Sequence, residues 1–215
     1  MAPTVAGLMP PLAAARGLAH NGRAPMNADD IRRIVADSVA LKERFFAASG
    51  PLLLEVGGRM AESLLAGGRV LAFGNGGSAA DAQHFVAELV GRFQRERAGL
   101  SAIALTTDPS VVTSVGNDLG FAAVFRRQVE AHGRPGDVAL GISTSGRSPN
   151  VIEGLRAARE RGLATVGLTG NGGGEVAGLV DHLIDVPHRD TQRIQEVHAM
   201  VLHVLCEVVD EATSR

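Results

Sequence analysis

The groups in this chain able to do chemistry fall on two segments far apart in sequence. His84 and Glu88 are four residues apart, a spacing that puts both on one face of a helix, about one turn from each other. Gln195 and His203 lie eight apart on the last apolar-periodic segment, about 80° around a helix axis and roughly two turns along it. Brought together, two imidazoles, a carboxylate and an amide would offer nitrogen and oxygen donors suited to zinc. His198, three residues after Gln195, competes with His203 for that role. The two histidines are about 140° apart on a helix and point to different faces, so spacing alone leaves the choice open. A His and a Glu at i and i+4 are also a common solvent-facing pair.

Two further stretches suit an anion or a sugar oxygen. Gly74-Asn75-Gly76-Gly77-Ser78 joins an apolar run to a helical one. Its glycines let backbone amides approach a ligand, and Ser78 is placed to cap the helix that follows. Such turns also occur for steric reasons alone. Ser143-Thr144-Ser145-Gly146-Arg147-Ser148 ends another apolar run, with Pro149 where the first helical residue should lie. Four hydroxyls beside helix-terminal amides form a neutral cradle for a phosphomonoester. The chain contains no Gly-x4-Gly-Lys-Ser/Thr, and no Gly-x-Gly-x-x-Gly follows the first strand, so no nucleotide cofactor is implied.

The elements that must position these groups can be read from periodicity. Apolar residues recur at three and four from Ile31 to about Ala66, interrupted by Ser49-Gly50-Pro51, which predicts two N-terminal helices. Beyond them, short apolar runs at 70–73, 102–105, 138–142, 165–168 and 182–186 alternate with helical periods. That alternation specifies an α/β fold with a doubly wound parallel sheet, whose ligands sit at the carboxyl ends of strands.

A chain of 215 residues, 45% of them hydrophobic, suits one α/β domain. Its 23 acidic and 21 basic residues nearly balance, which argues against a nucleic-acid or anionic-membrane partner. The single cysteine, Cys206, allows no internal disulfide and no Cys-rich zinc site, so reducing cytoplasm is the expected compartment. No apolar segment reaches the ~18 residues of a membrane span. Residues 1–25 are apolar, but Pro10 and Pro11 break them and no basic residue precedes those prolines, which argues against a signal peptide. They read as a disordered tail or an upstream-start extension, because Met26 immediately precedes a helix start at Asn27-Ala28-Asp29-Asp30; residues 26–215 read as a single domain.

Five blocks in order carry a resemblance. Gly74 to Ser78, Asp81-Ala82-Gln83-His84-Phe85-Val86-Ala87-Glu88-Leu89, Val115-Gly116-Asn117-Asp118, Gly141-Ile142-Ser143-Thr144-Ser145-Gly146 and Arg193-Ile194-Gln195-Glu196-Val197-His198 resemble the bacterial sedoheptulose 7-phosphate isomerases over about residues 27 to 211. That resemblance implies the sugar isomerase (SIS) fold, a flavodoxin-like three-layer αβα sandwich with a five-stranded parallel sheet. It also implies a homotetramer with active sites at subunit junctions.

For the site, the resemblance implies one zinc per subunit on His84, Glu88, Gln195 and His203, which sets His198 aside. It implies sugar-phosphate contacts from Asn75, Gly76, Gly77, Ser78, Asn117, Asp118, Ser143, Thr144, Ser145 and Ser148, with Glu88 and Gln195 also at the sugar and Arg92 in support. The implied reaction converts sedoheptulose 7-phosphate to D-glycero-D-manno-heptose 7-phosphate, with Glu88 as base and His203 as its acid/base partner. Two other readings use similar motifs: a non-enzymatic SIS protein that binds the replication initiator, and an isomerase or sensor for a different sugar phosphate.

Overall fold

The computed structural model describes residues 25–214. The apolar segment read as a tail or upstream extension lies, except for its last residue, outside the described residues. By contacts the chain divides after Val35. The N-terminal part begins a helix whose first turn closes on itself. The Asn27 carboxamide accepts the amides of Asp29 and Asp30 at 2.8 and 3.2 Å, and the Asp30 carboxylate accepts the Asn27 amide at 2.9 Å. This reciprocal cap satisfies donors that a helix start leaves free.

That helix, α1 (Ala28–Leu65), is continuous. The expectation of two helices split at Ser49-Gly50-Pro51 is wrong, because Pro51 sits inside a single helix. An interior proline costs about 3 kcal/mol. Against that cost, Leu41, Phe45, Leu53, Val56, Met60 and Leu64 are all buried, and they continue in phase on one face across the proline. Each contributes about 1.5–3 kcal/mol when buried, so the face outweighs the break.

Five strands follow, β1 (Val70–Gly74), β2 (Ala102–Ala104), β3 (Val138–Ser143), β4 (Ala164–Gly170) and β5 (His182–Val186). They form one parallel sheet in the order β2-β1-β3-β4-β5. Residues alternate between its faces. Val70, Ala72, Val138, Leu140, Val166 and Leu168 join the core under α1, α2 (Gly77–Val90) and α6 (Thr191–Thr213). Leu71, Phe73 and Ala139 join the core under α4 (Val124–His132) and α5 (Pro149–Glu160). Helix α3 (Pro109–Leu119), capped by the Asp108 carboxylate, lies beyond β2 in sequence and buries no residue. Among the described residues no helix is long and apolar enough to cross a membrane.

His198 docks α6 to the sheet. Its ring is fully buried, and Nε2 lies 2.9 Å from the Thr169 carbonyl, so Nε2 carries the donated hydrogen and Nδ1 is left without a partner. Burial lowers its pKa to about 4, although the Thr169 carbonyl and Asp185 partly oppose that shift.

An unfolded histidine protonates near pH 6.5, whereas this one stays neutral in the fold down to about pH 4. Within that window the unfolded chain binds the extra proton. Stability therefore falls as pH drops through it, by on the order of 3 kcal/mol once pH 4 is reached. His198→Gln, which retains a donor for Thr169, is expected to flatten this dependence. Urea unfolding of both proteins across the window checks it, and equal slopes would refute the assignment.

Candidate active site

In this strand order the chain reverses direction across the sheet between β1 and β3, and the loops leaving those two strands border a crevice. The first loop enters α2 at Gly77. Ser78 does not cap that helix: it lies within the first turn, buried, and Gly76 at the cap position makes no side-chain bond. The second loop enters α5 with Pro149 in the first turn, after Ser148. Asn75 and Asn150 exchange two amide hydrogen bonds of 2.8 Å and tie the loops together.

A cavity of about 320 Å³ opens between them. Asn75, Gly76, Gly77 and Ser78 line it from one side, and Ser143, Thr144 and Ser148 from the other. Gln195 and Thr191 of α6 close the remaining wall. No Lys or Arg is among its lining residues, so an anion there would meet hydroxyls, amides and the positive ends of α2 and α5. The Ser143 and Ser148 hydroxyls lie 3.0 Å apart, close enough to grip one phosphate oxygen together. Gly77 is required here, since a Cβ on it would lie 2.4 Å from the Gln195 amide nitrogen.

The reactive cluster lies farther along the same two helices. His84 Nε2 is 3.1 Å from Glu88 Oε1 and 3.5 Å from His203 Nε2, the two rings meeting edge-on with centroids 5.0 Å apart. Phe93 stacks on His203 with ring centroids 5.8 Å apart. A hydrogen on His84 Nε2 donates to the Glu88 carboxylate, and the His203 ring lies edge-on at the limit of hydrogen-bond distance.

The spacings also fit a metal. Ligands at zinc bond lengths of about 2.0–2.1 Å in a tetrahedron stand about 3.3–3.4 Å apart. The three atoms nevertheless form a chain of contacts, and among the described residues no group of three or more His, Cys, Asp or Glu already surrounds a common metal position. The donor chemistry fits zinc once the side chains turn toward a shared point.

The structure thus gathers His84, Glu88 and His203, and sends His198 into the core. Gln195 is not with the three; its amide lies against Gly77, two turns back along α6. Ser145 is exposed and accepts the Arg147 amide at 3.3 Å, outside the cavity lining. Asn117 and Asp118 are exposed on α3 and bonded to each other at 2.8 Å. Arg92 pairs with Glu96 on the surface.

Sequence reasoning missed Thr191 in the cavity wall, although Asp190-Thr191 before an apolar-periodic run reads as a helix start. It also passed over Asp81, whose buried Oδ2 has no partner; burial raises its carboxyl pKa, partly opposed by His84. Cys206 is no nucleophile, because burial foremost, with Glu88 adding to it, pushes its thiol up to about 12.

The SIS domain family model matches residues 34–170 of this chain. A phosphoheptose isomerase of Nitratidesulfovibrio vulgaris (strain DSM 19637 / Miyazaki F) is 51% identical over 186 residues, 85% of this chain and 89% of that protein. The structure of a phosphoheptose isomerase from Neisseria gonorrhoeae superposes with a TM-score of 0.80 at 44% identity, covering 85% of this chain and 98% of the other. One from Francisella tularensis gives 0.83 at 36% identity, covering 85% and 97%.

The second loop is braced from behind by the turn after β4. Gly146 has φ +61, and a Cβ on it would lie 1.8 Å from the Gly173 carbonyl oxygen. Gly146→Ala is therefore expected to destabilise the fold by about 1–3 kcal/mol and to displace Ser143 to Ser148. Thermal melts and binding of inorganic phosphate check this; unchanged phosphate affinity would separate the loop from the anion site.

Proposed function

The chain belongs to the SIS-domain family, among its phosphoheptose isomerases, and from that premise we propose that its site converts sedoheptulose 7-phosphate into D-glycero-D-manno-heptose 7-phosphate through an enediol. The observation that carries the reading is the distance between the two halves of the site. From Gly77 at the cavity to His84 is seven residues, about 10 Å along α2. An extended seven-carbon phosphate ester has about that length. With its phosphate among Ser143, Thr144 and Ser148, its carbonyl end reaches the His84, Glu88 and His203 cluster.

The chemistry needs one base and one acid beside a polarised oxygen. Glu88 removes a proton from C1 of the ketose, leaving an enediol shared between C1 and C2. Proton return to C2, with loss of the proton on the C1 oxygen, gives the aldose. His203 moves protons at the two oxygens as the carbonyl migrates. Glu88 is partly exposed, with 26% of its side chain accessible, so substrate can reach it.

His84, Glu88, His203 and Gln195 are the residues that would hold a zinc ion. When bound, it would supply Lewis-acid stabilisation of the charged enediolate. A carboxylate committed to a metal is a weaker base, so zinc and proton abstraction compete for Glu88.

We place the enzyme in the cytoplasm, at an entry step to the heptose of lipopolysaccharide or S-layer glycans. The free, buried Cys206 supports that compartment. A homotetramer is the proposed assembly, supported by Leu54, Leu119 and Phe121, each more than half exposed. Asn117 and Asp118 would then act at a junction between subunits.

Incubating the pure protein with sedoheptulose 7-phosphate, with and without a chelator, tests the reading directly; absence of an aldose product under both conditions would overturn it. Glu88→Gln is expected to lower kcat at least about a hundredfold with the fold retained. Thr144→Val should raise KM more than it lowers kcat, as for a hydroxyl holding phosphate equally in ground and transition states. His203→Asn should be far more damaging to kcat than His198→Asn, and the reverse ranking would reassign the acid/base partner.

A further inference from the structure

A buried ion pair joins the ends of the two reactive helices. Arg97, in the loop after α2, has a side chain only 3% accessible, and Asp210, near the end of α6, only 2%. Arg97 Nε donates to Asp210 Oδ1 at 2.7 Å. Its remaining nitrogens donate to backbone carbonyls: Nη2 to Glu88 at 2.9 Å, and Nη1 to Leu89 at 2.9 Å and Ala98 at 3.1 Å. Carbonyls in the last turn of a helix have no intrahelical partner, so the guanidinium serves as the C-terminal cap of α2 at the residue that supplies the carboxylate.

The other half of the pair is equally committed. Asp210 Oδ2 accepts the amides of Gln94 and Arg95 at 3.1 and 2.8 Å, which fixes the loop between α2 and Arg97. Burial alone would raise the Asp210 pKa, but the Arg97 guanidinium and these two amides outweigh it and hold the carboxyl below its ordinary range. Asp210 lies seven residues after His203, two turns along nearly the same face of α6. The pair therefore sits in line with the His84, Glu88 and His203 cluster, on the side away from the phosphate cavity.

We propose that Arg97 and Asp210 are positioning residues for the isomerisation: by locking the end of α2 to the end of α6 they set the separation of Glu88 and His203. Neither touches the reacting atoms. A buried pair of this kind is a poor source of net stability, since desolvation of both charges offsets their attraction. Its contribution is geometric, because a planar fork holding one carboxylate and three carbonyls admits little sliding between the helices.

This inference rests on the isomerase reading, and its test separates the two. Asp210→Asn keeps the size of the side chain but removes the charge, and Arg97→Lys keeps the charge but removes the fork. Either variant should lower kcat by about ten- to a hundredfold, the effect of misplacing a reacting group by roughly 1 Å, while KM stays within about twofold.

The control is Asp137→Asn. Asp137 is a buried carboxylate that accepts the amides of Arg69 and Arg134, just before β3 and at the opposite end of the sheet from the cavity. It should lower the melting temperature without lowering kcat. Crystal structures of wild type and Asp210→Asn give a readout free of activity: the His84 and His203 centroids, 5.0 Å apart in the native arrangement, should move apart.

A folded Asp210→Asn or Arg97→Lys with kcat within about twofold of wild type would overturn the proposal. So would an equal kcat loss in Asp137→Asn, or an unmoved ring pair. Should Asp210→Asn not fold, Arg97→Lys carries the test. A wild-type protein inactive on sedoheptulose 7-phosphate would sink the isomerase reading and leave the structural comparison standing.

Discussion

Helices α2 and α6 follow different strands, yet they run in the same direction across one face of the sheet, and side-chain contacts join them along their length. At one end the Gln195 amide lies where any side chain on Gly77 would be; two turns on, the His84 and His203 rings meet edge-on. Farther still, Arg97 and Asp210 close the row. Gly77 and His84 are seven apart on α2 and Gln195 and His203 eight apart on α6, so a shift of one helix relative to the other would break the first two contacts together. The cavity wall and the cluster thus follow from a single packing register, which Arg97 closes from the loop after α2.

The anion cradle shows a complementary economy. In the proposed site, hydroxyls and helix N-termini would hold a phosphate through short-range, directional contacts, without a lysine or arginine among the lining residues. Contacts to a phosphate remote from the reacting carbons bind ground state and transition state alike, so they would set affinity and position rather than the rate of the chemistry. Rate acceleration is then left to the groups near the carbonyl. The cradle also explains how a chain with a net charge of −2 can take an anionic substrate: recognition is confined to one crevice.

Much of this was legible from residue patterns. All five apolar runs became strands within a residue or two, because a parallel sheet covered on both faces leaves a continuous hydrophobic signature. Both loops fell at the crevice for the same reason. The split at Pro51 was misread, since local breaker chemistry is visible in a window while the long buried face that overrides it is not. Ser78 is not the cap that a serine just before a helical run suggests, because the helix already begins at Gly77 with Gly76 at the cap position. Spacing brought His84 to Glu88 but could not choose between His198 and His203. Only the packing shows that one faces the Thr169 carbonyl and the other faces His84. Arg97 and Asp210, 113 residues apart, gave no sequence signal at all.

The position of Asn117 and Asp118 follows from the same physics. An isolated helix of eleven residues is marginal in water and draws its stability from packing an apolar face. In α3 that face holds Val111, Val112 and Val115, all only partly buried, and Leu119 and the adjoining Phe121 project into solvent. One protomer therefore leaves α3 incompletely covered, and the two polar residues at its end turn to each other for a hydrogen bond. In the proposed tetramer a neighbouring chain would cover that face. Residues that look misplaced in one copy would then complete the site of another, so the helix with the least internal packing would be the one that couples assembly to substrate binding.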